Sequence, residues 1–273
     1  MPRHLIDTPD LSSADVEELF ALADAGPQPQ ALAGLTFLAA FFQESTRTRL
    51  GFMSAAARQG ASVLDMGNAD RLRLEPDADQ RLVLAGTADV VAVRHGKATF
   101  AHDLARHGRC HVINAGAGGA SHPTQALIDA YTLKRAFDGD LAGRRVVFLG
   151  PMLRSARSFR ALAAMLGVVL SECDVTARPQ RGMLEAADVL YIQSLSATDY
   201  TVPGLNAAPP GPALPEWAVE AIRVSDARLM HALPRGPELP DDLMPTGRSL
   251  VAVQVELGMP VRCAVLRWLV RRN

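Results

Sequence analysis

The sequence predicts an α/β fold built from two doubly wound parallel-sheet domains. Three observations predict it. Apolar runs of strand length alternate with helical patterns along the chain, and a strand that is apolar at nearly every position is buried on both faces. The alternation breaks once, at DGDLAGR (138–144), and then restarts. Polar clusters follow the strands, where an open parallel sheet binds its ligands.

The elements can be justified in order. Ser12 to Asp15 reads as a capping box, and Val16, Leu19, Phe20 and Ala23 follow at helical spacing. LTFLAAFF (35–42) is a continuous apolar strand. TRLGFMSAAARQG (48–60) is a helix stopped by Gly60. ASVLDM, DVVAVRH and HVINAG read as strands. DADQRLVLAGTA, FAHDLARHG and HPTQALIDAYTLKRAF read as helices, the last with Pro123 near its first turn. After the break come the strand RVVFLG, a helix over 154–167, the strand VVLSECD, a helix over 181–187 and the strand DVLYIQS. AAPPGPALP (207–215) is a loop, because its prolines and glycine break regular structure. A short helix, the segment ARLMHALPRG and a C-terminal helix from about 253 to 272 complete the chain.

Composition narrows the function. At 273 residues and 48% hydrophobic the chain builds a large core. A net charge of −1 argues against nucleic-acid and membrane-surface binding. Only Lys97 and Lys134 of the 28 basic residues are lysines, which reads as coding bias rather than chemistry. Cys110, Cys173 and Cys263 are widely spaced, odd in number and without a CxxC pair, as buried thiols of a reducing compartment would be. No leader pattern and no run of about 18 apolar residues occurs, so a cytoplasmic protein is expected.

The polar clusters carry the chemistry. Ser45, Thr46, Arg47 and Thr48 fall at a helix start, where free N–H groups and the helix dipole favour a phosphate. The hydroxyls can donate and Arg47 can clamp bidentately. Taken alone, the tetrapeptide fits an ordinary helix cap with solvated arginines equally well. Arg49, a step further round the helix, suits a structural role. Arg94 and His95 taken alone fit a salt-bridged pair, and His122 fits a cap. NAGAGGAS does not match a dinucleotide fingerprint, and no GK[ST] of a P-loop occurs.

As a set, FFQESTRTRLGF, VAVRHG, NAGAGGASHPTQALIDAYTL, ADVLYIQS and HALPRG resemble the aspartate and ornithine carbamoyltransferases in order and spacing over nearly the whole chain. NAG before His-Pro-Thr-Gln and the Leu-Pro-Arg of HALPRG look closer to the aspartate enzymes. The resemblance implies two domains with the active site in a cleft between them, shared across a homotrimer, and no metal or organic cofactor. It implies a carbamoyl-phosphate-binding domain over 1–137, an acceptor-binding domain over 138–252, and a C-terminal helix over 253–273 returning to the first domain. Carried over by motif, Ser45, Thr46, Arg47 and Thr48 hold the phosphate. Arg94 and His122 contact phosphate and carbonyl oxygens, Gln125 the carbamoyl nitrogen, and Leu233 offers that nitrogen its backbone carbonyl. Arg47, Thr48, Arg94 and His122 form the expected catalytic set.

Three departures bear on the acceptor. The family's mobile loop brings a serine and a lysine from a neighbouring subunit, but DMGNADRLRLEPDAD (65–79) is short and has no lysine, leaving Arg71 or Arg73 as substitutes. GPMLRSARSF places Ala156 where the family has an arginine for the acceptor's carboxylate, with Arg157 one step away. The family's Arg-x-Gln after ADVLY is replaced by Ser194 and Ser196, and Ala232 replaces the proline of the family's His-Pro-Leu-Pro-Arg. Arg157, Ser194, Ser196 and Arg235 are the candidate acceptor contacts. The donor half thus reads as intact and the acceptor half as rebuilt, and a small amine other than aspartate is expected. The alternatives are a true aspartate carbamoyltransferase with acceptor residues in another register, and a non-catalytic homologue that binds a ligand or assembles with partner subunits.

Overall fold

The computed structural model describes residues 2–67, 70–118, 121–151, 153–177, 179–195 and 212–271. The chain divides into two compact units, 1–128 with 257–273, and 129–256.

The first unit holds five parallel strands. In chain order its elements are β1 (His4–Leu5), α1 (Ser13–Asp24), β2 (Thr36–Phe41), α2 (Thr46–Arg58), β3 (Ser62–Asp65), α3 (Asp70–Leu74), α4 (Asp77–Thr87), β4 (Val90–Arg94), α5 (Phe100–Ala105) and β5 (His111–Asn114). Helix α6 (Pro123–Ala136) follows. The strand order is β1-β5-β4-β2-β3. From β2 the chain steps outward to β3 and then returns to the other side as β4, so the order reverses between β2 and β4. A crevice opens at such a point, outside the carboxyl ends of the strands.

The local chemistry explains the elements. The Ser12 hydroxyl accepts from Asp15 N at 3.1 Å, and Asp15 Oδ2 accepts from Ser12 N at 2.9 Å, closing the expected capping box. Residues 37–41 of β2 and all of β4 are buried, as strands covered on both faces should be. Edge strand β3 is exposed along most of its length.

The second unit holds four parallel strands in the order β7-β6-β8-β9. Its elements are β6 (Arg145–Leu149), α7 (Arg154–Met165), β7 (Val169–Cys173), α8 (Arg181–Glu185), β8 (Val189–Ile192), α9 (Glu216–Val224) and β9 (Arg228–Met230), followed by α10 (Val251–Val270). The order reverses here between β6 and β8. The core gathers Leu149, Leu190, Ile192, Ala218, Ile222 and Leu229 with their neighbours.

Several details differ from expectation. The two-residue strand β1 was not predicted. The stretch 65–79 contains α3, whose Leu72 packs on the cluster around Phe100. The two compact units divide at 128/129 and 256/257, inside α6 and α10. Asp129 of α6 lies in the second unit because it accepts from Tyr191 Oη at 2.6 Å and from Gln254 Nε2 at 2.9 Å. The later part of α10 packs with the first unit: Gln59 Nε2 donates to Cys263 O at 3.3 Å, and Arg267 Nη2 to Gly26 O at 2.8 Å. Cys110, Cys173 and Cys263 are free thiols, all buried. Among the described residues no helix is long and apolar enough to cross a membrane.

Candidate active site

Strand register brings the donor motifs together. Phe41 pairs with Arg94 across β2 and β4, and Val93 with Asn114 across β4 and β5. The three strands therefore end level, and the segments after them crowd one edge of the sheet. Residues 45–48 follow β2, Arg94 closes β4, and 115–118 and 121–125 follow β5.

Ser45 caps α2 with a non-helical backbone (φ −165°, ψ 79°), and its side chain accepts no capping hydrogen bond. Ser45 therefore offers no side-chain acceptor to the first N–H groups of α2. Thr48 is buried, Ser45 half-buried, and Thr46 and Arg47 exposed. Arg49 pairs instead with Asp65, Nε to Oδ1 at 3.0 Å, and its guanidinium holds that carboxyl below the usual range although burial works the other way. Arg49 thus takes the structural role expected of it.

Arg94 is only 6% exposed, and its Nη1 donates to Ala115 O at 3.3 Å. His122 lies beside it. A Cβ on Gly116 would stand 2.7 Å from Arg94 Nη1 and 3.2 Å from His122 Cδ2, so the two cross the same glycine. His122 Nδ1 meets the Thr124 hydroxyl at 3.1 Å. With Thr124 donating, Nε2 carries the ring proton and can donate to an oxygen. Gln125 sits half-buried on the first turn of α6. His95 turns elsewhere: it stacks on Phe100 at 4.0 Å, accepts from Lys97 N, and burial lowers its pKa.

Asn114 organises this edge, a role the sequence did not disclose. Its Nδ2 donates to Ile6 O and to Ser121 Oγ, both at 2.9 Å, while Oδ1 accepts from Gly116 N (2.9 Å) and Ala117 N (2.8 Å). The amide of this buried side chain thus makes all four of its hydrogen bonds. Gly116 has φ +102°, in the region only glycine enters without strain. A polar residue ending an apolar strand was the available signal.

The second sheet carries the other candidates at its carboxyl edge. Leu149 pairs with Ile192, and Tyr191 with Met230. Ala156 is fully buried and Ser194 is 8% exposed. Ser196 lies outside the described residues, as does the side chain of Arg71, while Arg73 is exposed on α3. Arg157 is exposed on α7, and Arg160 is engaged by Glu172. Arg235 pairs with Asp241 and donates to Leu239 O at 3.2 Å. Leu233 has φ +55°, and the Leu233–Pro234 bond is cis.

Behind this edge runs a buried polar chain that motif reading missed. His231 N donates to Gln254 Oε1 at 3.0 Å, and Gln254 joins Asp129 and Tyr191. His231 Nδ1 accepts from Leu233 N at 2.9 Å, so the neutral ring presents Nε2–H to Glu238 Oε1 at 3.0 Å. Glu238 also accepts from Gly236 N at 2.7 Å. Burial works to raise the Glu238 pKa, yet these hydrogen bonds hold it below the usual range. Among the described residues no His, Cys, Asp and Glu gather in a group fit to hold a metal.

Residues 3–135 match the family described as aspartate/ornithine carbamoyltransferase, carbamoyl-P binding domain. The aspartate carbamoyltransferase catalytic subunit of Agrobacterium fabrum is 34% identical over 299 residues, covering 98% of this chain and 95% of its own. That of Rubrobacter xylanophilus is 36% identical over 279 residues, covering 92% and 90%. In fold, the chain matches the aspartate transcarbamoylase of Trypanosoma cruzi in complex with carbamoyl phosphate, with a TM-score of 0.82 at 23% identity over 99% of this chain and 97% of that one. The chain belongs to the aspartate/ornithine carbamoyltransferase family. It is a carbamoyltransferase with carbamoyl phosphate as donor, and within the family it resembles the aspartate carbamoyltransferase catalytic chains.

Proposed function

We propose that this enzyme transfers the carbamoyl group of carbamoyl phosphate to the amine of aspartate, working as a homotrimer with shared sites. The observation that carries the acceptor is the relationship itself: relatives 33–36% identical over nearly the whole chain are aspartate carbamoyltransferase catalytic subunits. It weighs against the expectation of a different amine, which rested on single positions aligned by motif.

The chemistry follows from the donor edge. Ser45, Thr46, Arg47 and Thr48 bind the phosphate at the start of α2, where N–H groups and dipole face an anion. Gln125 and the Leu233 carbonyl orient the carbamoyl nitrogen. The neutral acceptor amine attacks the carbonyl carbon, and negative charge grows on its oxygen. Arg94 and His122 Nε2–H donate to that oxygen as it charges. The carbon–oxygen bond to phosphate then breaks, and the leaving phosphate takes up the proton released by the amine.

One observation favours a second reading. The positions aligned with acceptor-binding residues are the fully buried, uncharged Ala156 and the buried Ser194. A dicarboxylate needs cationic partners, because an unpaired buried charge costs several kcal/mol. Under this reading Arg157 and Arg235 bind at most one carboxylate, and the amine is not aspartate. Steady-state kinetics with aspartate, ornithine and neutral amines decides between them. An aspartate kcat/KM at or above about 10⁴ M⁻¹s⁻¹, the ordinary enzyme range, supports aspartate, and a neutral amine preferred by about 30-fold or more supports the second reading.

A further inference from the structure

At the end of the second sheet a buried amide lacks an acceptor among the described residues. Gln193 directly follows β8, and its N–H still donates to Leu149 O at 2.9 Å. The residue is only 2% exposed, and its Nε2 is sealed from solvent without a hydrogen-bond partner. A buried donor left unpaired forfeits the water it gave up, so folded chains rarely keep one without a use.

Register shows where this amide lies. Phe148 pairs with Tyr191, and Leu149 with Ile192. Alternation puts Gln193 on the face of Tyr191, away from Ile192 and its apolar cluster. A Cβ on Gly150 would stand 3.5 Å from Gln193 Cβ, so the two residues are neighbours just past β6 and β8. Helix α7 covers this face. Phe159 meets Tyr191 edge-on with ring centroids 6.4 Å apart, and the Ser155 hydroxyl hydrogen-bonds that of Tyr191. From Phe159 to Ser155 is one turn back toward the start of α7, and from Tyr191 to Gln193 leads to the carboxyl end of the sheet. Gln193 therefore comes level with the first turn of α7. Strand order reverses between β6 and β8, so a crevice opens at their ends. The start of α7 brings the positive end of its dipole there, and its cap, Leu153, offers no side-chain acceptor to the first N–H groups.

We infer that Gln193 is a specificity-determining contact of the acceptor site, its Nε2–H donating to a carboxylate oxygen of the amine substrate beside the first turn of α7. The inference rests on the carbamoyltransferase reading above and deepens it. It names a neutral donor at the edge where motif alignment leaves the uncharged Ala156 and Ser194. An amide and a helix start together favour an anionic oxygen. A neutral amide also costs less to keep buried in the empty site than a guanidinium would.

The inference gives opposite signs for stability and acceptor binding, which a packing role does not. Gln193→Met removes the amide and keeps an unbranched side chain of similar length. Its ligand-free Tm should equal or exceed that of the wild type, since an unpaired buried donor is gone. With aspartate, or with ornithine should that be the better substrate, acceptor KM should rise roughly 10- to 150-fold, the worth of one hydrogen bond to a charged group. The contact is made before and during reaction alike, so kcat should hold within about threefold. Calorimetric Kd for carbamoyl phosphate should stay within about twofold, because a distant site acts independently. Unchanged acceptor KM in Gln193→Met overturns the inference, and so does an equal loss for both substrates. A wild-type preference for an amine without a carboxylate overturns it as well. Should the Met variant fail to fold, Gln193→Asn draws the amide back by one methylene. Raised acceptor KM at wild-type donor affinity then supports the inference, and unchanged acceptor KM overturns it. Wild-type protein that carbamoylates neither aspartate, ornithine nor neutral amines overturns the proposed function and this inference together, whereas wild-type turnover that no variant alters overturns this inference alone.

Discussion

The two sheets end in contrasting ways. The first ends in cations and hydroxyls held by a satisfied buried amide: Arg94 and His122 cross Gly116, and Asn114 pins the loop between them. The second ends in small or occupied groups. Ala156 and Ser194 are buried, and Arg160 and Arg235 already face Glu172 and Asp241. Its polar order lies behind the edge, in the chain from Tyr191 to Glu238. The contrast teaches that similar doubly wound halves can divide a reaction unequally. Under the proposed reading the first half offers fixed charge to the donor's dianion, while the polar order described in the second lies behind its edge.

The sharpest way to break the comparison is to remove the donor clamp. Arg47→Ala should weaken carbamoyl phosphate binding by about 30- to 1000-fold, the worth of a desolvated charge-assisted contact. The fold should survive, since the side chain is exposed. Calorimetric titration with a phosphonate analogue checks it, and unchanged affinity would move the anion elsewhere. Gly116→Ala should come next. The added methyl meets Arg94 Nη1 at 2.7 Å and φ +102° disfavours it, so kcat/KM should fall roughly 10- to 100-fold with a stability loss of about 1–3 kcal/mol. Kinetics beside urea unfolding separate the two effects.

The second half should respond in stability rather than in donor binding. Glu238 titrates below its ordinary 4.5 in the folded protein. As pH falls, the unfolded chain therefore binds the proton first. The stability the ion contributes is complete above the unfolded value and is lost as pH falls through the folded one. Glu238→Gln should be less stable than wild type at pH 7, and the gap should close on acidification below about pH 4.5. Urea midpoints at several pH values test this, and a gap independent of pH would show that the charge is not what matters. The smallest effect belongs to Arg160→Ala. An exposed ion pair is worth about 0.2–1 kcal/mol, so Tm should barely move and acceptor KM should hold. A large rise in acceptor KM would show that Arg160 leaves Glu172 to bind substrate.

Much of the fold was legible because buried parallel strands are written as unbroken apolar runs, as in residues 37–41 and 90–93. Strand β1 was not, since two residues carry no period. Helix α3 was hidden because five residues, DRLRL, look like a polar loop until Leu72 finds the Phe100 cluster. The family's motifs could be read because their residues are contiguous and follow strands that end level. Asn114 could not, because its role arises from what the folded chain brings against it. At the acceptor edge, alignment by motif identified Ala156 and Ser194 without saying whether other side chains replace the missing charges.

The three buried thiols give the molecule a built-in clock. Burial first, and then Asp89, push Cys110 up to about 11, and burial likewise raises Cys173 and Cys263. Only a thiolate exposed to water alkylates readily. Each cysteine therefore labels at the rate at which its surroundings open. Cys110 and Cys263 report on the first unit and Cys173 on the second. Mass spectrometry of timed alkylation, with and without phosphate, would read the opening free energy of each half separately in a single untagged sample.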